Sequence, residues 1–509
     1  MPSVAVRPSS ASEMPLPATR RYPSLYQINT RVLLTDLSRG LSRPATLDDV
    51  PDSQLDRLAT AGFDWVWFLG VWQTGNAGRS VSLENPEWRR EFKELLPNFS
   101  EADVCGSCFA IRSYSVHTDF GGDEALARLK ERLHLRGLRL LLDFVPNHTA
   151  PDHPWVQDHP EYYVHGTEDK LAREPHNYTR TTNSGGPGVL AYGRDPYFAG
   201  WPDTLQLNYA EPGLQEAMAT ELERIAGMCD GVRCDMAMLI LPDVFQRTWG
   251  LHAASFWPMA TQRARARHPG FLFMAEVYWD LEWTLQQQGF DYTYDKRLYD
   301  RLCEGHARPV RDHFRADMDF QRKSARFLEN HDEPRAAAAF QGPMHKAAAV
   351  LTFLCPGLRF FHQGQFEGYK KRIPVHVSRG PEESISSDIG QFYGKLLECL
   401  RRPEAGDGEW QLLECTPAWE GNWTWDCFIS FALRGPDGRL LVCVVNYAPN
   451  SSQCYLHVPL VTEKEMVEFR DMMSPAAYSR YTAEVLAHGL YLDMPAWGYH
   501  VFEVAIVDN

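Results

Sequence analysis

Three stretches, GVRCDMAM (231–238), FLFMAEVYWD (271–280) and FLENHDEPR (327–335), each run through strand-forming residues and then reach an acid. The acids are Asp235, Glu276 and Asp332. A fourth stretch, LLLDFVPNH (140–148), does the same at Asp143. A carboxylate is out of place inside a buried strand. It belongs at the C-terminal mouth of a parallel strand, where barrels of alternating strands and helices keep their chemistry. Four such endings in one chain predict a constellation rather than four accidents.

Outward from these stretches, short β-rich runs alternate with longer helical ones. The strand candidates are SLYQINTRV, FDWVWFLGV, LRLLLDFVP, GVRCDMAM, FLFMAEV, FDYTYDK, SARFLENHD and LRFFHQGQ. Helical partners such as GDEALARLKERLHLRG and GLQEAMATELERIAGMCD carry apolar residues at i, i+3, i+4 spacing. Eight strands separated by helices predict an α/β fold, a closed (β/α)8 barrel. At roughly 31 residues per βα unit, Asp235 and Glu276 stand about one unit apart and Glu276 and Asp332 about two. Asp143 and Asp235 are separated by well over one, so a segment is inserted after the third strand. That insert, residues 149–200, is rich in Pro, Gly, Asn and aromatics and reads as a loop domain over the mouth. Beyond residue 405 the pattern becomes strands and turns (GPDG, APNSS), predicting a C-terminal antiparallel β-sandwich over 405–509. The barrel is expected over 22–404, and residues 1–21, rich in Pro, Ser and Ala, as a disordered tail.

Bulk numbers narrow the function. A chain of 509 residues suggests two or three units. A net charge of −15 argues against nucleic acid or an anionic membrane as partner, and says nothing against a neutral sugar. Eleven cysteines scattered in apolar runs read as buried free thiols of a reducing compartment. No run is apolar enough for a signal peptide or a membrane span, so a cytoplasmic protein is expected. Cys105 and Cys108 form one C-x-x-C without a second pair, and no metal site is assigned.

Cleaving a glycosidic bond takes two carboxyl groups, one protonated and one ionised at the same pH. Arg233 lies two residues before Asp235, hence on the same strand face, where its charge favours ionised Asp235, as a nucleophile requires. Glu276 sits among apolar neighbours that would keep a proton on it, as a general acid requires. Asp332, beside His331, would stabilise developing positive charge. Asp143 reads as a structural acid at the barrel mouth.

In this arrangement DFVPNH, GVRCD, AEVYWD and ENHDEP, with DTLQLNYAEPG before the fourth strand, resemble the short regions of the α-amylase family, glycoside hydrolase family 13. The resemblance implies retaining chemistry on α-glucosidic bonds through a covalent glycosyl-enzyme. It implies Asp235 as nucleophile, Glu276 as acid/base and Asp332 as transition-state stabiliser. Arg233, His148 and His331 match substrate-binding positions, and Tyr114 matches the tyrosine that stacks under the cleaved sugar. Asn147 matches an asparagine that in many relatives binds a structural calcium; no cofactor is otherwise implied. MAMLI follows Asp235 where many starch-cleaving members carry Lys-His, which counts against simple endo-hydrolysis of starch. Three readings follow: a hydrolase of α-glucans or oligosaccharides; a transglycosylase or isomerase handling trehalose or maltosyl units; and, against the intact acids, a non-catalytic binding protein.

Overall fold

The computed structural model describes residues 19–183, 186–461 and 465–507. Eight parallel strands close a barrel: β1 (Ser24–Asn29), β2 (Trp65–Leu69), β3 (Arg139–Phe144), β4 (Gly231–Cys234), β5 (Leu272–Ala275), β6 (Tyr292–Tyr294), β7 (Ser324–Arg326) and β8 (Leu358–His362). β8 returns to β1, with Ser24 opposite Arg359. All eight expected runs supply a strand, in order. They are nearly all buried because the barrel interior covers one face and the helices the other.

The strands end earlier than their apolar runs, for local reasons. After β1 the Asn29 side chain accepts a hydrogen bond from Val32 N and caps the helix Thr30–Leu41, so TRV is helical. After β7 the Asn330 side chain accepts from both Asp332 N (2.8 Å) and Glu333 N (2.9 Å), folding ENHDE into a turn. After β4 the chain passes through Met236 in the left-handed region (φ 42). These turns, not continued strands, aim the acids.

Three excursions stand over the C-terminal mouth. The expected insert after β3 holds short helices, Trp155–Asp158 and Glu168–Arg173, and a hairpin, Tyr178–Asn183 with Gly186–Ala191. Its alternating threonines form strand where loop was expected. A second excursion, after β2, carries helices Asn76–Glu84 and Pro86–Leu95 and a strand pair, Trp72–Thr74 with Ile111–Val116. A third follows β8. The last two are joined by a small core of Phe92, Val104 and Val377 and by the Arg379–Asp103 ion pair (2.5 Å).

The C-terminal segment forms two antiparallel sheets, one of six strands and one of three, with a core of their own. Asp426 ion-pairs with Arg308 and Arg311, and Tyr447 donates to Leu302 O (2.7 Å), fastening these sheets to the barrel. The tail expected over 1–21 lies outside the described residues up to residue 18. Arg20 and Arg21 are already anchored, Arg21 by an ion pair to Glu409 (2.6 Å). No helix among the described residues is long and apolar enough to cross a membrane.

Candidate active site

Adjacent strands β4 and β5 pair Cys234 with Ala275, so Asp235 and Glu276 leave neighbouring strand ends side by side. The fully buried Arg233 lies beneath both. Its Nη1 donates to Asp235 Oδ1 at 2.5 Å, and its Nη2 lies 2.8 Å from Glu276 Oε2 and 4.0 Å from Asp332 Oδ2. The Nη2 contacts are charge contacts without hydrogen-bond alignment. The guanidinium is held by Tyr294 OH on Nε (3.2 Å) and by the ring faces of Trp67, Phe109 and Tyr294 at 5.3–5.5 Å. One cation therefore serves three acids. The Asp235 and Glu276 side chains are almost fully buried, whereas that of Asp332 is 42% exposed and opens to the cavity.

One charge cannot neutralise three, so the acids separate in affinity for protons. Burial pushes Glu276 up to about 7; Arg233 opposes this, and Asp235 and Asp332 add to it. Glu276 Oε2 accepts from Met236 N (2.8 Å) and faces Arg233, which leaves the proton to Oε1, beside the Tyr278 hydroxyl (2.9 Å). Asp332 goes the other way. Burial raises it, but His331, whose Nε2 is 2.9 Å from Oδ2, together with Arg233 outweighs burial and holds it at about 2. For Asp235, burial exceeds the opposing Arg233 charge and raises the carboxyl from its ordinary value. The guanidinium acts in the expected direction, favouring ionised Asp235, but against a larger desolvation.

The other predicted residues divide. His331 is in the site, its Nδ1 2.9 Å from Gln27 Nε2. His148 lines the same cavity as the acids and packs against Trp201 (5.3 Å); burial pushes it down to about 3, so its ring is neutral. Asp143 is structural, as expected: it accepts from Gly70 N (2.6 Å) and Trp67 Nε1 (3.1 Å) and ties β2 to β3.

Tyr114 requires a correction. Its hydroxyl donates to Val145 O (3.0 Å) and accepts from Val145 N (2.9 Å), and its ring packs on Phe144 and Trp72 in the core. It does not line the cavity of the acids. Phe109 does, with its ring 5.4 Å from that of His331. Both aromatics lie in one short stretch, but the strand Ile111–Val116 turns Tyr114 inward, and Phe109 precedes that strand. Trp88, Ser107, Trp201, Asp203, Thr204, Met236 and His376 complete a cavity of about 210 Å³. Met236 follows Asp235 in GVRCDMAM, and Asp203 and Thr204 open DTLQLNYAEPG, but none of the three was given a role; Trp88, Ser107, Trp201 and His376 come from segments distant in sequence from the motifs.

The implied calcium finds no fitting donor set at Asn147. Asn147 Oδ1 and O and Leu207 O converge at 3.0, 2.9 and 3.1 Å on the amide nitrogen of Gln206, so the oxygens that would face a cation face a neutral donor instead. No cluster of three or more His, Cys, Asp or Glu able to hold a metal occurs among the described residues. Adding EDTA is expected to leave the thermal midpoint unchanged; a fall of more than about 1 °C, the size of a 1 kcal/mol effect in a chain of this length, would contradict this.

A closed parallel barrel with an Arg-bridged acid cluster at its C-terminal mouth is the architecture of a barrel enzyme. The chain belongs to the alpha-amylase family, whose catalytic-domain model matches residues 95–389. It is 24% identical over 296 residues to Alpha-amylase 3 of Dictyoglomus thermophilum, covering 53% of this chain and 55% of that protein. It is 32% identical over 137 residues to the alpha-1,4-glucan:maltose-1-phosphate maltosyltransferase of Salinibacter ruber, covering 25% and 19%. The chain spans about half the length of the first of these relatives, and less of the second. In fold it resembles the maltogenic alpha-amylase AmyB of Thermotoga neapolitana, with a TM-score of 0.67, 19% identity and coverage of 95% and 99%.

Proposed function

We propose that the protein is a retaining glycosidase acting on α-glucosidic bonds. The observation that carries the reading is the single buried Arg233 shared by Asp235 and Glu276, with Asp332 open to the cavity above them. Two carboxyl groups on neighbouring nitrogens of one guanidinium stand close, which favours direct attack over the roughly 6.5–9.5 Å separation that admits an inverting water.

In the first step Glu276 gives its proton to the glycosidic oxygen while the Asp235 carboxylate attacks the anomeric carbon. The carbon–oxygen bond breaks and a glycosyl ester forms on Asp235. Asp332, ionised, faces the positive charge that develops on the sugar. Glu276, now ionised, takes a proton from water, whose oxygen displaces Asp235 and restores the original anomeric configuration. A sugar hydroxyl in place of that water would give transfer, a reading favoured locally by the stretch similar to the maltosyltransferase.

The test is product chromatography with maltooligosaccharides, trehalose, sucrose and maltose 1-phosphate. Free glucose or maltose supports hydrolysis; longer chains or a rearranged disaccharide support transfer. Glu276→Gln is expected to lower kcat by roughly 10²–10⁴-fold, with partial recovery on aryl glucosides whose leaving group needs no proton. Wild-type kcat/KM should fall as pH rises through about 7, and Glu276→Gln should lack that limb. The sign for stability agrees: Glu276 binds its proton more tightly folded than unfolded, so its contribution is full below the ordinary glutamate range and is lost as pH rises through about 7. Equal activity of wild type and variant on every substrate would sink the assignment.

A further inference from the structure

Asp203 is a buried acid that the mechanism above does not use. It lies where the chain returns from the insert towards β4, is 3% exposed, and lines the same cavity as Asp235, Glu276 and Asp332. Its carboxyl receives no hydrogen bond from any other described residue, and Oδ2 is buried without a partner. The nearest ring nitrogen, His376 Nδ1, is 4.0 Å away, already meets Ser82 Oγ at 3.0 Å, and is kept neutral by burial.

Other buried acids of the barrel are provided for. Asp295 has Arg326 (3.0 Å) and His313 (2.9 Å); Glu329 has Arg335 (2.6 Å) and Ala336 N (2.7 Å). An unpaired buried carboxyl is costly and persists where something outside the chain completes it. The cavity it faces, about 210 Å³, falls below the roughly 300–1,000 Å³ of ordinary ligand pockets. That volume is of the order of one pyranose ring held beside the acids. Trp88, Trp201 and Phe109 line the cavity together with the reacting acids, giving it both the aromatic and the polar groups that bind sugars.

We propose that Asp203 contacts the substrate, accepting hydrogen bonds from hydroxyls of a single terminal sugar ring away from the cleaved bond, and so restricts the site to chain ends and short glucosides. This rests on the α-glucosidic reading above and adds to it the substrate class and the residue that selects it.

The test is calorimetric binding of methyl α-D-glucoside and its monodeoxy counterparts to wild type, Asp203→Asn and Asp203→Ala. Wild type should lose on the order of tenfold to a hundredfold in affinity for at least one deoxy sugar, and Asp203→Ala should bind that sugar and its parent equally. The thermal midpoint of Asp203→Asn should stay level or rise, because the substitution removes an unpaired charge; a residue kept for structure would lower it. Unaltered discrimination among the sugars in both variants overturns the proposal, as does a wild type that binds none of them. Cleavage is scored separately with Glu276→Gln. A protein that cleaves glucans internally while showing no Asp203-dependent discrimination therefore refutes this proposal and leaves the glycosidase reading standing.

Discussion

Asp235→Ala is expected to lower kcat by roughly 10⁴–10⁶-fold, the scale seen when a covalent nucleophile is removed. Asp235 is the acid that Arg233 grips by an aligned hydrogen bond (2.5 Å), and its backbone N donates to Phe144 O (2.8 Å), which fixes where the carboxyl stands at the mouth. No neighbour can replace it: Glu276 is occupied by Met236 N and Tyr278 OH, and Asp332 by His331. The alanine leaves a space beside the anomeric carbon. Added azide should therefore restore part of the activity on an activated aryl α-glucoside and yield the β-glycosyl azide, with one displacement in place of two. Residual activity above about one per cent, or no azide adduct, would remove Asp235 from the nucleophile's role.

Arg233→Leu is the second large effect, and it acts on stability as well as rate. The guanidinium is fully buried among three acids and three aromatic faces. Removing one partner of a buried charge network leaves the others uncompensated, at a cost of about 3–5 kcal/mol. The folded protein can reduce that cost only by taking up protons, so Asp235 and Glu276 should both titrate higher and the activity optimum should move to higher pH. Arg233→Lys separates charge from geometry. A single ammonium cannot serve two carboxyls with the two arms of a planar fork, so most of the stability should return while the rate stays low. Wild-type stability and pH profile in Arg233→Leu would contradict the account of how the acids are held apart.

Much of this was legible from the chain because it is encoded locally. Each barrel strand is a short buried run, and a period of two puts Arg233 and Asp235 on one face without reference to the rest of the fold. Asp332 was legible as an acid beside His331, although the Asn330 turn that orients it was read as strand. What escaped was non-local. Phe109 and Trp88 reach the cavity from the excursion after β2, His376 from the one after β8, and Trp201 and Asp203 from the end of the insert. Tyr114 misled because an aromatic in the right stretch carries no mark of whether its hydroxyl is already claimed, here by Val145. Asp203 stood in view as the first residue of DTLQLNYAEPG, but its role escaped for the opposite reason: its significance lies in the partners it lacks, which no sequence pattern displays.

The central claim is that Asp235 and Glu276 cleave by double displacement. The most direct test is proton NMR of the product formed in the first minutes of turnover of an α-glucoside by wild type, before mutarotation. The account predicts the α-anomer as the first product. Initial release of the β-anomer would mean a single displacement by water, and would contradict the assignment of Asp235 as nucleophile.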